Sequence, residues 1–422
     1  MRLSFMMISV LFIALLWQIS GANTPLVKKE VILRKLPPMD VTSEKLEAHS
    51  RLNTIRKSMN MNPLIINDKL TLAAQAHANY LVENQNHSHY ETSGKKYFTG
   101  VKPKDRTVYA NYASTMVSEN LSTRSHSAKR SMEGLFSAIY HRFGFLNPSI
   151  DEIGVGVAQN KVDTQQSAFV YVMGNSNLVD LCQHKSFNGF GKYIYNVCKE
   201  SEHRVDAGSY AKANNIHKEY NPKVITYPYS HQKDVPTVFY EESPDPLPDY
   251  AVSGFPLSVE FNDYFFDDVT LHTFKLYNHK GQELTNVRLM DSENDPNQRL
   301  SNRQFVLFPL ERLKYNSQYR AEVEYSSKGE NTKISWRFET TVLHERLHTI
   351  TKNEVTIGLT SKSSHILYFK PLHSKDILTN VQFPSDLDVV FLDNNTLKVS
   401  INKNTNNFDI FSNHKIVHVE VD

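Results

Sequence analysis

SAIYHRFGFLNPSIDEIGVGV, residues 137–157, is the stretch on which the reading of this chain turns. An apolar helical run reaches His141-Arg142, a turn through Asn147-Pro148 follows, and then comes the strand-like Ile153-Gly154-Val155-Gly156-Val157. A histidine at a helix end can be a cation suited to the negative end of the dipole. It can equally be a site residue carried toward partners elsewhere in the chain.

Working outward, helical spacing begins near Ser43, with Leu46, Leu52, Ile55 and Met59 recurring, and Pro63 ends that element. NDKLTLAAQAHANYLVEN, from Asn67 to Asn84, is the clearest helix. Asn67 or Asp68 can cap it, and Leu70, Ala73, Ala74, His77, Ala78 and Leu81 make one apolar face. A third helix is expected over roughly Ser127 to Tyr140, burying Met132, Leu135, Phe136 and Ile139. EIGVGVAQ and SAFVYVMG follow as strands. The segment up to about residue 178 therefore reads as an α+β domain, with boundaries near 43–178.

Chemistry-bearing residues collect in this domain. NHSHYE supplies His87, His89 and Glu91, and VSENLS supplies Glu119. Two imidazoles and a carboxylate can bind a divalent metal with one position left for water. They can also share protons, because histidine titrates near neutrality. His77, on an apolar stripe, reads as a hydrogen-bonded core histidine, and His87 as a loop residue.

In order, LNTIRKSMNMNPLIINDKLTLAAQAHANYL, SHYE, SENLS and AIYHRFGFLNPSIDEIGVGV resemble the CAP superfamily of cysteine-rich secretory, antigen 5 and pathogenesis-related-1 proteins, in its bacterial SCP-like form with few cysteines. The resemblance covers about residues 50–175. It implies an α-β-α sandwich with a central cleft holding two histidines and two acids, which in some members bind a divalent metal. On that mapping His89 and His141 are the histidines and Glu119 one acid. The helix would deliver His141 to the cleft, with the glycine-rich strand beneath it. The second acid is missing from its usual place before the second histidine: Arg130 stands nearest, and Glu133 is the only acid on that helix, hence the fourth member expected. YFTGVKPKDR is expected to loop over the cleft rim.

Beyond this domain, residues 179–225 read as a polar connector containing Cys182 and Cys198. From Val224 the apolar period becomes 2, as in Leu257, Val259, Phe261 and in Ile334, Trp336, Phe338. Proline- and asparagine-rich turns separate the runs, which suggests a β-sandwich-like module over 226–342. A second β-rich module over 343–422 ends in alternating Val417, Val419 and Val421.

HERLH, residues 344–348, matches H-E-x-x-H. On a helix His344 and His348 would share a face, with Glu345 as base and Glu354 as a third ligand. β-Branched residues flank it on both sides, however, and in a strand positions four apart lie about 13 Å from each other. An extended segment that binds no metal is therefore expected. No G-x-S-x-G, P-loop or G-x-G-x-x-G occurs, which leaves serine-triad and nucleotide chemistry without support.

The chain has 422 residues, 47 basic against 45 acidic side chains and a formal net charge of +2. That balance gives no support to a nucleic-acid partner. Hydrophobic residues make up 40%, enough for buried cores. MRLSFMMISVLFIALLWQISGANT opens with Arg2, an apolar run from Leu3 to Trp17 and a Ser20-Gly21-Ala22 cleavage pattern. It reads as a signal peptide over 1–22, cleaved after Ala22, giving a secreted or periplasmic protein without a membrane span in its mature form. Residues 23–42, basic and proline-containing, read as a leader. In an oxidising compartment the two cysteines favour a Cys182–Cys198 disulfide, worth about 3 kcal/mol in the chain-entropy model. The functional expectation is binding of a ligand, lipid or cell-surface component without turnover. The alternative is a metal-dependent hydrolase, zinc being the metal, acting on peptide or glycan through the same cleft.

Overall fold

The computed structural model describes residues 38–240, 242–385 and 387–422, with the backbone of a strand at Leu26–Lys28. The segment read as a signal peptide lies outside these residues. Two compact units emerge, one within Lys35–Val342 and one formed by Leu343–Asp422 with the N-terminal strand.

In the first unit, α1 (Val41–Ser58) starts at Asp40, whose carboxylate accepts from the amides of Thr42 and Ser43. α2 (Asp68–Asn84) is capped by Asn67 and ends at Gln85 in the left-handed region. α3 (Pro103–Tyr109) is short and begins with proline in its first turn. The four-stranded sheet has the order β1-β3-β4-β2, with β1 Ile65–Ile66, β2 Ser118–Thr123, β3 Glu152–Gln159 and β4 Ser167–Gly174. All eight residues of β4 are buried, because both sheet faces are covered. Ala168, Val170 and Val172 pack with Leu70, Ala74 and Ala78 of α2. Phe169, Tyr171 and Met173 pack with α1 and with Met132, Leu135 and Phe136. This is the α-β-α sandwich.

The glycines of the opening stretch serve α2. A Cβ on Gly154 would lie 2.0 Å from the carbonyl carbon of Leu70, and one on Gly156 2.2 Å from the carbonyl oxygen of Ala74. The strand thus lies directly on the α2 backbone; the glycines do not form a bed for His141.

The third helix is not continuous. α4 (Ala128–Ser137) stops at Ala138, which is extended, and α5 (Ile139–Leu146) begins afresh. His141 therefore sits in the first turn of a new helix, not at the end of the old one. Arg142 supplies the reason. Helix ends leave carbonyls without intrahelical partners, and Arg142 donates Nε to Phe136 O at 2.7 Å and Nη2 to Ser137 O at 3.4 Å. The chain folds back so that its own guanidinium caps α4.

The segment 179–225 is more ordered than a connector. It contains helices α6 (Ser176–Gln183) and α7 (Ala207–Glu219). Cys182 and Cys198 are bridged, and backbone bonds from Thr115 to Val197 and from Lys199 to Ala113 tie the bridged loop to the α-β-α domain.

Besides a short antiparallel pair, Val238–Phe239 with Ser253–Gly254, eight longer strands follow: β5 Val224–Tyr227, β6 Gln232–Val235, β7 Leu257–Phe261, β8 Thr270–Tyr277, β9 Val287–Met290, β10 Gln304–Pro309, β11 Gln318–Ser327 and β12 Glu330–Thr340. They form two sheets, β9-β10-β7-β5 and β8-β11-β12-β6. Their inner side chains, including Val259, Phe261, Val323, Trp336 and Phe338, belong to the same buried cluster as Leu52, Phe136 and Tyr171. The α-β-α domain and the first β module thus share one core. At the seam Phe136 stacks on Tyr227 at 5.0 Å.

The second unit has two sheets around its own core of Ile350, Leu367, Phe369, Val399, Ile410, Val417 and Val419. Part of the leader belongs here, because Leu26–Lys28 pairs antiparallel with Val381–Pro384. A free edge recruits any extended segment that satisfies its backbone, a property side-chain pattern does not reveal.

Candidate functional site

The candidate residues come from α2, α3, β2 and α5 of the first unit and from the loop that follows α2. Glu119 stands on β2, and its side chain is 1% exposed. Its two oxygens accept from Arg106 Nη2, at 2.8 and 2.7 Å. His89 Nδ1 donates to Oε1 at 2.9 Å. Burial by itself would raise this carboxyl's pKa. The hydrogen bond from His89 and the charges of His77 and Arg106 outweigh it and hold Glu119 below the ordinary carboxylate range, so it is ionised at neutral pH.

Arg106 comes from α3, inside the stretch expected to loop over the rim. The stretch instead turns into a helix that carries Arg106 inward, 1% exposed, where Nη1 also donates to His89 O at 3.0 Å. An apolar sequence signal is absent there, because a buried arginine is recognised by its partners and not by its own pattern.

Behind Glu119, His77 on α2 donates Nδ1–H to Glu91 Oε1 at 2.8 Å. Its Nε2 lies 3.8 Å from Glu119 Oε1. Glu91 Oε2 accepts from the amide of Thr99 at 2.8 Å. His77 is thus a hydrogen-bonded core histidine that lies behind Glu119. His87 bonds Thr123 Oγ1 and takes no part in this network.

His141 is held by its backbone, since Asn120 Nδ2 donates to His141 O at 2.7 Å. Its ring lies 6.3 Å from that of His89, with the planes 23° apart. Its Nδ1 faces Glu242 Oε1 at 3.3 Å, and that carboxylate is 2% exposed. His89 thus bonds Glu119 and lies beside the ring of His141, so the three side chains are neighbours. Glu133 does not join them. It pairs with Lys129 at 3.5 Å and lines a separate cavity of about 490 Å³ with Arg51, Phe136 and Tyr227. The acid beside the second histidine is Glu242, from beyond the sandwich domain. It was illegible from local spacing because it follows His141 by about a hundred residues.

As arranged, Glu119 is not a free ligand, because both its oxygens accept from a buried guanidinium, while His89 and His141 turn Nδ1 to carboxylates and keep Nε2 open. Among the described residues no three His, Cys, Asp or Glu side chains are placed to share an ion.

The H-E-x-x-H segment is not helical: Arg346–Ile350 is a strand. Glu345 pairs with Lys398, and Glu354 lies 3.2 Å from His418. His344 and His348 therefore do not form a zincin site.

Residues 49–175 match the family model described as CAP, the cysteine-rich secretory protein family. This chain carries a CAP domain. The CAP domain's solved neighbours include an outer surface protein from Borrelia burgdorferi, at 23% identity and a TM-score of 0.28, covering 32% of this chain and 95% of that one. An extracellular SCP-domain protein from Bacillus anthracis is 17% identical, with a TM-score of 0.28, covering 33% and 44%. A cysteine-rich secretory protein from Staphylococcus aureus is 18% identical, with a TM-score of 0.25, covering 33% and 41%. The chain thus spans less than half the length of the last two. No curated protein matches it. Among the described residues no helix is long and apolar enough to cross a membrane.

Proposed function

We propose that this is an exported protein whose CAP cleft binds a cell-surface ligand without turning it over. The observation that carries this reading is the seat of Arg106. A metal or a general base at Glu119 would have to displace a guanidinium from a buried, doubly accepted ion pair, and removing one partner of such a pair costs about 3–5 kcal/mol. The histidines are better suited to recognition. With Nδ1–H of His89 and His141 turned to Glu119 and Glu242, each ring keeps its Nε2 lone pair for a ligand. Two acceptors side by side suit hydroxyl or amine donors, as on a glycan or a polyol lipid headgroup. Export is supported by the signal-like start, by the disulfide and by the extracellular and surface descriptions of the neighbours. The β modules at 226–342 and 343–422 would then space the CAP domain or attach it to a partner.

The competing reading is hydrolysis of peptide or glycan, and the two acid–imidazole pairs favour it to the extent that each could act as a base. The test is one set of samples. Purified mature protein is passed over immobilised glycans, polyol lipid vesicles and surface peptides, and the eluates are analysed for cleavage products. Binding is expected to weaken about tenfold in His89→Ala and in His141→Ala, with no product above the His141→Ala background. Product formation that needs both histidines would overturn the binding reading.

A further inference from the structure

The histidine left over from the H-E-x-x-H segment has a different partner. In the second unit Arg346–Ile350 runs parallel to Ser364–Phe369. Side chains alternate across a strand, so His348 shares a face with Ile350, and His365 with Leu367 and Phe369. Ile350, Leu367 and Phe369 belong to the buried core. The two imidazoles therefore continue the inner apolar rows at one end of that core. His365 is 5% exposed and His348 is half-buried. Aliphatic side chains would fill this place without the desolvation that polar rings incur.

His348 Nε2 and His365 Nδ1 face each other at 3.4 Å. Two nitrogens at that separation, each about 2.1 Å from one zinc ion, subtend an angle of about 108°, close to tetrahedral. The outer side of His365 is also provided for. Its Nε2 lies 2.8 Å from Ser363 Oγ and 3.3 Å from Thr360 O. Ser363 Oγ donates to Thr360 O at 2.6 Å, which leaves the hydroxyl oxygen free to accept from Nε2–H. In that tautomer Nδ1 keeps its lone pair, as metal-ligating histidines do when they donate the other N–H to a neighbouring oxygen. The amide of Thr360, 3.1 Å from Nε2, favours the opposite tautomer, in which Nδ1–H bonds His348. The same pair thus has a metal-free and a metal-ready arrangement.

We propose that His348 and His365 form a two-imidazole site for a borderline divalent transition metal, zinc or copper(II), in the C-terminal unit. Imidazole nitrogen suits these ions, and no carboxylate set for a hard cation is present among the described residues. Water completes the coordination. With two protein ligands and the Arg346 charge nearby, the affinity belongs in the micromolar range and not among structural zinc sites.

The test uses the full mature chain, titrated with zinc and with copper(II) by calorimetry at neutral pH. One micromolar site is expected. It is retained in the His89→Ala/His141→Ala double variant, which separates it from the CAP cleft. His348→Ala is expected to weaken it about tenfold or more, and His365→Gln likewise. Circular dichroism and thermal unfolding of the metal-free variants verify the fold, and His348, half-exposed, is the variant that decides should His365→Gln unfold. The copper(II) EPR spectrum is expected to show nitrogen coupling that disappears with His348→Ala. No binding in the wild type, binding unaltered by His348→Ala, or binding lost only in the cleft double variant would each overturn the proposal.

Discussion

Three arginines are buried in the first unit, Arg56, Arg106 and Arg142, and the last two are satisfied in opposite ways. Arg106 meets a carboxylate, donating to both oxygens of Glu119. Arg142 has no carboxylate bonded to it. It donates to Phe136 O, Ser137 O, Pro256 O and Ser258 Oγ, and its guanidinium lies 4.9 Å from the Tyr227 ring centre and 5.2 Å from that of Phe255. Burial lowers its pKa to about 10, still well above neutrality. The first arrangement fixes charge beside the histidine pair. The second fixes geometry between a helix kink, the CAP domain and the β module. A buried cation can therefore be a site component or a structural rivet, and only its acceptors tell which.

The sharpest way to break this comparison is Arg106→Ala. It strands an ionised carboxylate at 1% exposure, so a loss of about 3–5 kcal/mol is expected by denaturant unfolding. Adding Glu119→Gln removes the stranded charge and should restore a large part of that loss. The sign of the pH effect follows from the depressed Glu119 pKa. The pair's stabilisation is present above the ordinary carboxylate value and is lost as pH falls through the lower folded value. Equal stability of the single and double variants would show that Arg106 acts by packing alone.

Arg142→Ala should cost somewhat less, about 2–4 kcal/mol, through lost charge-assisted hydrogen bonds and lost packing of the side-chain stem. The contrast lies in the next substitution. Arg142→Met leaves no buried charge behind, so its apolar stem should recover part of the loss between Tyr227 and Phe255. Arg106→Met should recover little, because Glu119 remains. Similar behaviour of the two methionine variants would erase the distinction between rivet and site component.

The contrast also explains what the sequence could yield. The faces of α1 and α2, the strands around Val155 and Val170, and the period-2 runs were legible because burial repeats at the spacing of the element. The short segments SHYE, SENLS and IYHRF were legible as a set because they preserve their order. Arg106, Glu242 and the kink at Ala138 were not. Arg106 stands in a polar segment that folds inward only because Glu119 awaits it. Glu242 reaches His141 across the module seam. Ala138 breaks a helix without glycine or proline, since the capping group, Arg142, lies four residues further on. The pairing of Leu26–Lys28 is a backbone pairing along the edge of a sheet, which residue spacing does not announce.

The smallest expected effect comes from an ion pair in the open, which tests whether burial is what gives Arg106 and Glu119 their weight. In the second unit His418 Nδ1 lies 2.7 Å from Asp409 Oδ1 and its Nε2 3.2 Å from Glu354 Oε1, a bridge across three strands. The hydrogen bond to Asp409 first, and then that to Glu354, raises the pKa of His418 above its usual 6.5. A raised folded value means that the stabilisation is complete below the unfolded pKa and disappears as pH rises through the folded one. All three side chains are well exposed, so solvent screens the interaction, and added salt should weaken it further. Thermal unfolding of this unit, followed from about pH 5.5 to about pH 8 in wild type and His418→Ala, measures the effect by difference, which cancels the unit's other histidines. The wild type should show a slight extra fall in midpoint with rising pH that the variant lacks. A difference as large as that between wild type and Arg106→Ala would mean that exposed and buried charge pairs weigh alike in this protein, and the contrast drawn from the two arginines would fail.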